Sequence, residues 1–522
     1  RAGPADVGVS VMGGATPWAA VGAALDDLAL KGQITLIRHA RNLGFPTSAN
    51  DGMRAGAGRD IILLNSDTIV FQGWVERLRA RLTTTDVGTL TPFSNDASIL
   101  SYPAVDQINN VPDKAEAREL DRLCARQFSM DAAQIDLPTG NGFCMAITAD
   151  CLAETGFFRE DLFGQGYGEE NDFCLRASTL GFRHFPAPDV YVAHVGSVSF
   201  GSSRKALMAR NLDILYALHP GYDAVVAAFL KSDPLLQLRR TLDVDRLAQR
   251  RGNRPSILLI QHDAGGGVGR AVHHRAVDFE RRGLLPLGLR PTEQGCLLEC
   301  LSDETETFPN LKFKLPEELP FLVDVLSRLG VQKVEWHHLV GHAPCIRTLH
   351  HALNVPYDIF IHDHIWFCPR ISLLNGEGRY CGEPDVAGCE ACVARWGSYL
   401  GENITVPELI ERSDREFRGA EQLLVPSRDT AQRLSRHFPG MDFRVTPLED
   451  DVALLANLPE KTIIVPGRPL RICIVGGLSQ WKGYDVVLAM GREKDGTPAT
   501  SRDRMPCFVG KKKYTYRPDF SV

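Results

Sequence analysis

The stretch Ile61-Ile62-Leu63-Leu64-Asn65-Ser66-Asp67-Thr68 decides how this chain is read. Four apolar residues, two of them β-branched, make a run of strand length that has the character of a buried strand. A polar triplet follows at once. In open α/β sheets ligands collect at the carboxyl ends of parallel strands. A carboxylate there can hold a divalent cation, and the cation can neutralise a diphosphate. Asp67 is therefore the candidate metal ligand, with Asn65 as its weaker neighbour. Asn, Ser and Asp are also turn formers, so a plain turn after a strand is the alternative.

Outward from that strand, residues 1 to about 200 alternate short apolar runs with amphipathic stretches. Ile34-Thr35-Leu36-Ile37 reads as a second buried strand, and the two predict a mainly parallel sheet. Glu169, Glu170 and Asp172 place three carboxylates within four residues, which suits the first turn of a helix. Phe173, Ala177 and Leu180 would be its buried face. Asp172 and Arg176 lie four apart and can pair, a structural role for Asp172 that leaves Glu170 freer to act. His194 follows the apolar run Val190-Tyr191-Val192-Ala193. A neutral imidazole can complete a metal site begun by a carboxylate, although a lone histidine at a strand end is more often structural.

Residues 204–254 read as a helical linker. Asp233-Pro234 has the form of a helix start, with Asp as N-cap and Pro at the first position. Leu235, Leu238 and Leu242 then recur at helical spacing. Gly252-Asn253-Arg254-Pro255 stops that helix. A second α/β unit opens with the strand Ile257–Ile260, the loop Gly265-Gly266-Gly267 and a helix to Arg282. A third start appears at Ile472–Gly477 and loses its periodicity from Gly491. The division is 1–203, 204–254, 255–450 and 451–522.

The chain has 522 residues, 44% hydrophobic and 23% charged, with 58 Lys+Arg against 64 Asp+Glu and a net charge of -6. These values describe about three globular domains and exclude collagen, coiled coil and disorder as the main theme. The acidic balance argues against a nucleic-acid partner. Thirteen cysteines, sparse and odd in number, read as thiols of a reduced, cytoplasmic protein rather than a disulfide framework. No run of eighteen strongly apolar residues stands out as a membrane span. Cys389 and Cys392 have the gap of a zinc knuckle, and with Cys368 and Cys381 they could close a tetrahedral structural zinc site. The gap before Cys381 is irregular, so free buried thiols are the alternative.

Several motifs in order resemble the family-2 glycosyltransferases. They are Arg41-Asn42-Leu43-Gly44-Phe45, Asn50-Asp51-Gly52, Leu63 to Thr68, Gly73-Trp74, Gly140-Asn141-Gly142-Phe143, Gly156-Phe157-Phe158, and Gly168 to Phe173 with Arg176 and His194. The resemblance implies a GT-A fold and an inverting transferase that needs a divalent cation, Mg or Mn. It implies a nucleotide-sugar donor on Asn42, Gly44, Asn50, Asn65 and Asp67, with His194 joining Asp67 at the metal. Catalysis would fall to Glu170 and Asp172. Glu170 would be the base, where the family usually has Asp. The acceptor would be a carbohydrate or a lipid-linked carbohydrate of bacterial surface polysaccharide, met at the inner face of a membrane with peripheral contact. The family's base-binding acid should precede Asn42. Here that turn reads Met12-Gly13-Gly14-Ala15-Thr16-Pro17, and the first βα unit is expected to be missing.

Gly265–Gly269, Pro356-Tyr357-Asp358, His362-Asp363, Pro426-Ser427-Arg428 and Lys482-Gly483 are similar to the family-4, GT-B glycosyltransferases. That resemblance implies a Rossmann-like GT-B N-terminal half, with Lys482 meeting donor phosphate in a shortened second half. The rival to a two-module enzyme is a non-catalytic sugar- or nucleotide-binding scaffold of degenerate transferase modules.

Overall fold

In the computed structural model, which describes residues 7–11, 19–82, 86–127, 135–195, 203–302, 306–447, 474–475 and 508–509, the strand Cys144–Ile147 sorts its side chains by the two-residue period of a pleat. Cys144 and Ala146 enter one apolar cluster, Met145 and Ile147 another. All four are fully buried, so this strand is covered on both faces.

The chain divides into two units, Arg1–Leu258 with Ala276–Gln332 and Ala343–Leu353, and Leu259–Arg275 with Lys333–His342 and Asn354–Val522. In chain order the elements begin β1 (Val7–Val11), α1 (Ala19–Leu30), β2 (Ile34–Arg38), α2 (Phe45–Ala55), β3 (Ile61–Leu64), β4 (Thr68–Ile69), α3 (Trp74–Arg81), β5 (Val87–Phe93), α4 (Lys114–Gln127) and β6 (Cys144–Ile147). There follow α5 (Ala149–Thr155), α6 (Glu160–Phe163), α7 (Glu169–Thr179), β7 (Arg183–Tyr191), β8 (Ala193–His194), α8 (Ser203–Leu218), α9 (Tyr222–Ser232) and α10 (Leu236–Arg251).

The central sheet of the first unit has the order β3-β6-β5-β7. β6 runs antiparallel to β3 and β5, while β5 and β7 are parallel. The sheet is therefore mixed, not mainly parallel. β3 is its edge, half-exposed, with Leu64 at 40%; a strand with one neighbour is buried less than its composition suggests. β2 pairs in parallel with β1 instead. A β-α-β unit thus precedes Arg41, where the sequence reading expected none.

Leu78, Phe93, Leu123 and Val190 fill one core with Leu235, Leu238 and Leu242. The leucines at helical spacing are thus core residues of the first unit. Met53, Phe158, Phe173 and Ala177 fill the other core. Leu180 is 51% exposed because α7 ends at Thr179 and Leu180 caps it. Asp233 is likewise not an N-cap. It terminates α9 in the left-handed region, φ 44°, and pairs with Arg239. Leu235 caps α10.

The remaining elements are β9 (Ser256–Ile260), α11 (Gly266–Arg281), β10 (Leu285–Thr292), β11 (Gly295–Cys300), β12 (Lys312–Lys314), α12 (Leu319–Arg328), β13 (Val331–Trp336), α13 (Leu349–Leu353), β14 (Tyr357–Phe360), α14 (Val386–Trp396), α15 (Val406–Gly419), β15 (Gln422–Val425), α16 (Arg428–His437) and β16 (Phe443–Val445). In the first unit β10, β11 and β12 form an antiparallel meander. In the second, β13, β14, β15 and β16 pair in parallel with helices between them. The strand–glycine loop–helix of β9 and α11 forms as read, with Gly265 and Gly266 at positive φ. Ile474–Val475 and Phe508–Val509 make a short parallel pair. Met12–Pro17, Lys482 and Gly483 lie outside the described residues.

Candidate active site

The end of β3 is fixed by backbone hydrogen bonds. Asn65 N–H donates to the Phe143 carbonyl at 2.8 Å, and Thr68 Oγ1 donates to the Asn65 carbonyl at 2.7 Å. β4 then pairs antiparallel with β8, Thr68 opposite His194, and Val195 N–H donates to the Asp67 carbonyl at 2.8 Å. This ribbon brings Asp67 Oδ1 to 3.4 Å from His194 Nε2. Nδ1 of the same ring lies 3.2 Å from the Asp96 carbonyl. A carbonyl only accepts, so Nδ1 carries the proton and Nε2 faces the carboxylate. Burial lowers the His194 pKa, but Asp67 and Asp96 outweigh it and leave it raised.

Two side chains hold this histidine. Asn95, buried at the end of β5, takes the His194 N–H on Oδ1 and donates Nδ2 to the His194 carbonyl, both at 2.8 Å. Phe143 stacks on the imidazole, centroids 5.5 Å apart. The sequence reading missed Asn95-Asp96, yet this pair follows β5 much as Asn65-Ser66-Asp67 follows β3.

Glu170 enters from the first turn of α7. Gly168 caps that helix at φ 96°, a left-handed conformation suited to glycine. Gly168 N–H donates to Glu170 Oε2 at 3.2 Å. The side chain lies against Gly142, where an added Cβ would meet Glu170 Cδ at 3.7 Å. Burial raises the Glu170 pKa, opposed by N–H groups around it, those of Gly168 and Gly142 included. Glu169 is more deeply buried and its pKa is raised well above the ordinary value, by burial and then by Glu170. Gly142 touches Glu170 and the adjacent Phe143 stacks on His194, so Asp67, His194 and Glu170 gather around one dipeptide. The turn ahead of α7 is tied from α8: buried Asn211 donates to the carbonyls of Phe163 at 3.0 Å and Gly166 at 2.6 Å.

Other sequence candidates resolve differently. Asp172 is fully buried, with Arg176 at 2.9 Å, His219 at 2.8 Å and Arg159 at 3.4 Å. Three cationic or protonatable partners saturate it, so the structural role fits and the catalytic one does not. Asn50 is also an anchor rather than a donor contact. Its amide takes Phe158 N–H and donates to the Phe158 carbonyl and Glu160, closing α2 onto the segment before α6. Asn42 Oδ1 accepts Gly44 N–H at 2.9 Å in a tight turn. Gly44, at φ 89°, packs its Cα side against Gly164 and Gln165, leaving no room for a Cβ. Asn65 and Asp67 remain at the strand end, half-buried.

Beside Glu170 opens a small cleft lined by Ser98, Ile99, Thr139, Asn141, Asn171 and Tyr222 among others. Asn171 Nδ2 donates to Thr139 Oγ1 and to Tyr222 Oη, each at 2.9 Å, and those two hydroxyls are 2.9 Å apart. Burial pushes the Tyr222 phenol above its ordinary value. The cleft wall begins at Ala97, directly after Asp96, and includes Asn171, directly after Glu170.

In the second unit, β13 and β14 end in facing histidines. His338 Nε2 lies 3.0 Å from Asp363, and His337 Nδ1 lies 3.0 Å from His362 Nε2. Burial lowers His362 to about 3. Among the described residues no group of three or more His, Cys, Asp or Glu is arranged to hold a metal ion, eleven cysteines are free, and no helix is long and apolar enough to cross a membrane.

A family model described as glycosyltransferase like family 2 matches residues 20–212. No curated protein matches the chain. Among solved structures, GalNAc-T7 with UDP, GalNAc and Mn2+ is similar at 16% identity and TM-score 0.30, over 42% of this chain and 45% of that one. The mannosyltransferase PcManGT of Pyrobaculum calidifontis, with GDP-Man and Mn2+, is similar at 14% and 0.30, over 48% and 66%. S. aureus TarS 1-349 with UDP-GlcNAc is similar at 11% and 0.30, over 58% and 88%. The chain thus spans less than two thirds of the length of the first two.

Proposed function

We propose that the first unit, whose residues 20–212 match the family-2 glycosyltransferase model, moves a sugar from a nucleotide-diphosphate donor to a hydroxyl of a carbohydrate or lipid-linked acceptor, with inversion. One observation carries this reading: the Asp67–His194 pair and Glu170 meet around Gly142-Phe143.

The residues fit a Mg2+ or Mn2+ ion. Asp67 offers a hard oxygen and His194 a nitrogen whose other ring N–H is held by a carbonyl, the usual support of a ligating imidazole. Two protein donors, rather than three or more, suit a cation that completes its shell with phosphate oxygens and water. When bound, such an ion neutralises charge developing on the departing diphosphate.

Single displacement needs a base on the face opposite the leaving group. Glu170 has the raised pKa of a buried carboxyl and N–H groups that hold its anion. It would accept the acceptor hydroxyl proton as the new glycosidic bond forms at the anomeric carbon and the bond to the diphosphate breaks. The adjacent cleft combines hydroxyl and amide groups with the apolar edges of Ile99 and Val226, which suits a sugar ring. We extend the proposal to surface-polysaccharide synthesis, to residues 255–450 as a GT-B-like N-terminal half, and to Lys482 of the segment 451–522 as a contact for donor phosphate.

The test is titration with nucleoside diphosphates, with and without manganese, followed by a donor screen reading nucleotide release. Cation-dependent binding that disappears in Asp67→Ala supports the enzyme. Cation-independent binding without turnover supports the scaffold of degenerate modules.

A further inference from the structure

Thr139, Asn171 and Tyr222 close a triangle of hydrogen bonds that leaves a remainder. Asn171 Nδ2 directs one N–H to Thr139 Oγ1 and the other to Tyr222 Oη. The two hydroxyls lie 2.9 Å apart, so one donates to the other. A hydroxyl carries one proton and two lone pairs. Whichever way that bond runs, one O–H is left to donate and the other oxygen keeps a lone pair. Burial, first of all, raises the Tyr222 pKa, and the charge of nearby Glu170 adds to the rise, so Tyr222 keeps its proton. A contact serving only to join α7 to α9 needs no such leftover pair. In a cleft wall an unpartnered O–H is met by water or by a ligand.

The triangle faces the turn Ala97–Leu100 across the cleft. Asn171 directly follows Glu170, and Gly140-Asn141 of the cleft lead to Gly142, which touches Glu170. The leftover donor and acceptor thus stand beside the acid assigned to the acceptor's proton. No cationic side chain lines the cleft among the described residues. Tyr222 comes from α9, beyond the residues 20–212 that match the family model. Gly221 caps that helix at φ 88°. Val226, Phe229 and Leu230 share a helical face with Tyr222 and pack against the core of Phe93 and Leu123. That face seats α9 and delivers the Tyr222 hydroxyl to the cleft.

On the transferase reading of the first unit, on which this rests, we infer that the Thr139–Asn171–Tyr222 triangle binds a second hydroxyl of the acceptor sugar, other than the one Glu170 deprotonates. The triangle donates to that hydroxyl and accepts from it. The acceptor group is then a polyhydroxylated ring rather than a lone alcohol or a phosphate, and α9 helps to set which ring is accepted. A site built to pair with a hydroxyl discriminates against the analogue that lacks it.

The experiment uses the full chain and the donor selected by the nucleotide-release screen. The acceptors are methyl glycosides of common hexoses and their singly deoxygenated forms. With the unsubstituted chain, one deoxygenation away from the reacting position should raise the acceptor KM about 3- to 10-fold, the worth of a hydrogen bond. Tyr222→Phe should raise the KM of the parent glycoside by a similar factor and erase discrimination against that deoxy form, while the donor KM stays in place. Asn171→Val should do the same. A raised KM with discrimination intact would assign the triangle a structural role and overturn the inference. So would indifference of the unsubstituted chain to every deoxygenation, a result that needs no variant to fold. Nucleotide release that no glycoside accelerates, or transfer to simple alcohols as readily as to glycosides, would overturn it too. If no donor is turned over, the transferase reading itself fails; turnover with an undiscriminating cleft sinks this inference alone.

Discussion

His194 and Asp67 face each other across 3.4 Å because β4 and β8 form a two-residue ribbon that sets Thr68 opposite His194. Replacing the Asp67 carboxylate by an amide keeps its shape and removes its charge. Asp67→Asn should abolish cation-dependent binding of a nucleoside diphosphate, measured by calorimetry with and without manganese. Asp67 is not a core residue, so thermal unfolding should shift by no more than about 0.5 kcal/mol.

Asn95 takes and gives a hydrogen bond to the two backbone groups of His194. Asn95→Ala leaves both unpaired in a partly buried position, a loss of about 1–3 kcal/mol. Donor affinity should fall with stability, read by denaturant titration and calorimetry on one preparation. Unchanged affinity would mean that the ribbon alone positions the ring.

Glu170→Gln should reduce transfer by about 10²–10⁴-fold, the usual worth of a general base, while donor binding persists. Burial holds the Glu170 pKa above its ordinary 4.5. The base is active only when ionised, so kcat/KM of the unsubstituted chain should rise with pH through that elevated value. The Gln variant should lack this limb.

Asp172→Ala should act on folding instead. It strands Arg176, Arg159 and His219 around a fully buried site, at about 3–5 kcal/mol for a broken buried ion pair. Urea unfolding measures it. Full stability with lost turnover would restore Asp172 to the chemistry.

His184 supplies a pH dependence of stability. It is buried between Thr89, Ser178 and the Cys174 carbonyl, and burial lowers its pKa from 6.5 to about 4. The folded chain therefore binds fewer protons here than the unfolded chain between those values. This contribution is complete above pH 6.5 and is lost as pH falls toward 4. His184→Asn should flatten the slope of unfolding free energy over that window.

The strand β3, the acidic start of α7 and the Asp172–Arg176 pair were legible because each is local, set by a run of apolar residues, a turn's dipole or a four-residue offset. What sequence did not disclose was which partner each group meets. Asn50 carries donor-side spacing, yet Phe158 and Glu160, over a hundred positions away, take its amide. Asp233-Pro234 has the letters of a helix start, but the helix before it needed a left-handed end more than the next needed a cap. β3 has buried-strand composition and lies at a sheet edge, since antiparallel entry of β6 is not written in its own residues.

Asn211 carries a consequence for anyone wishing to excise the first unit. Its single amide knots both ends of the bend that delivers α7, and Tyr102 bonds Asp243 at 2.7 Å from still further along the chain. A fragment cut after β8 would keep most of its apolar interior and lose the tether that aims its acid. It would be an intact body with a loose trigger. Boundaries for expression should lie beyond Asp243.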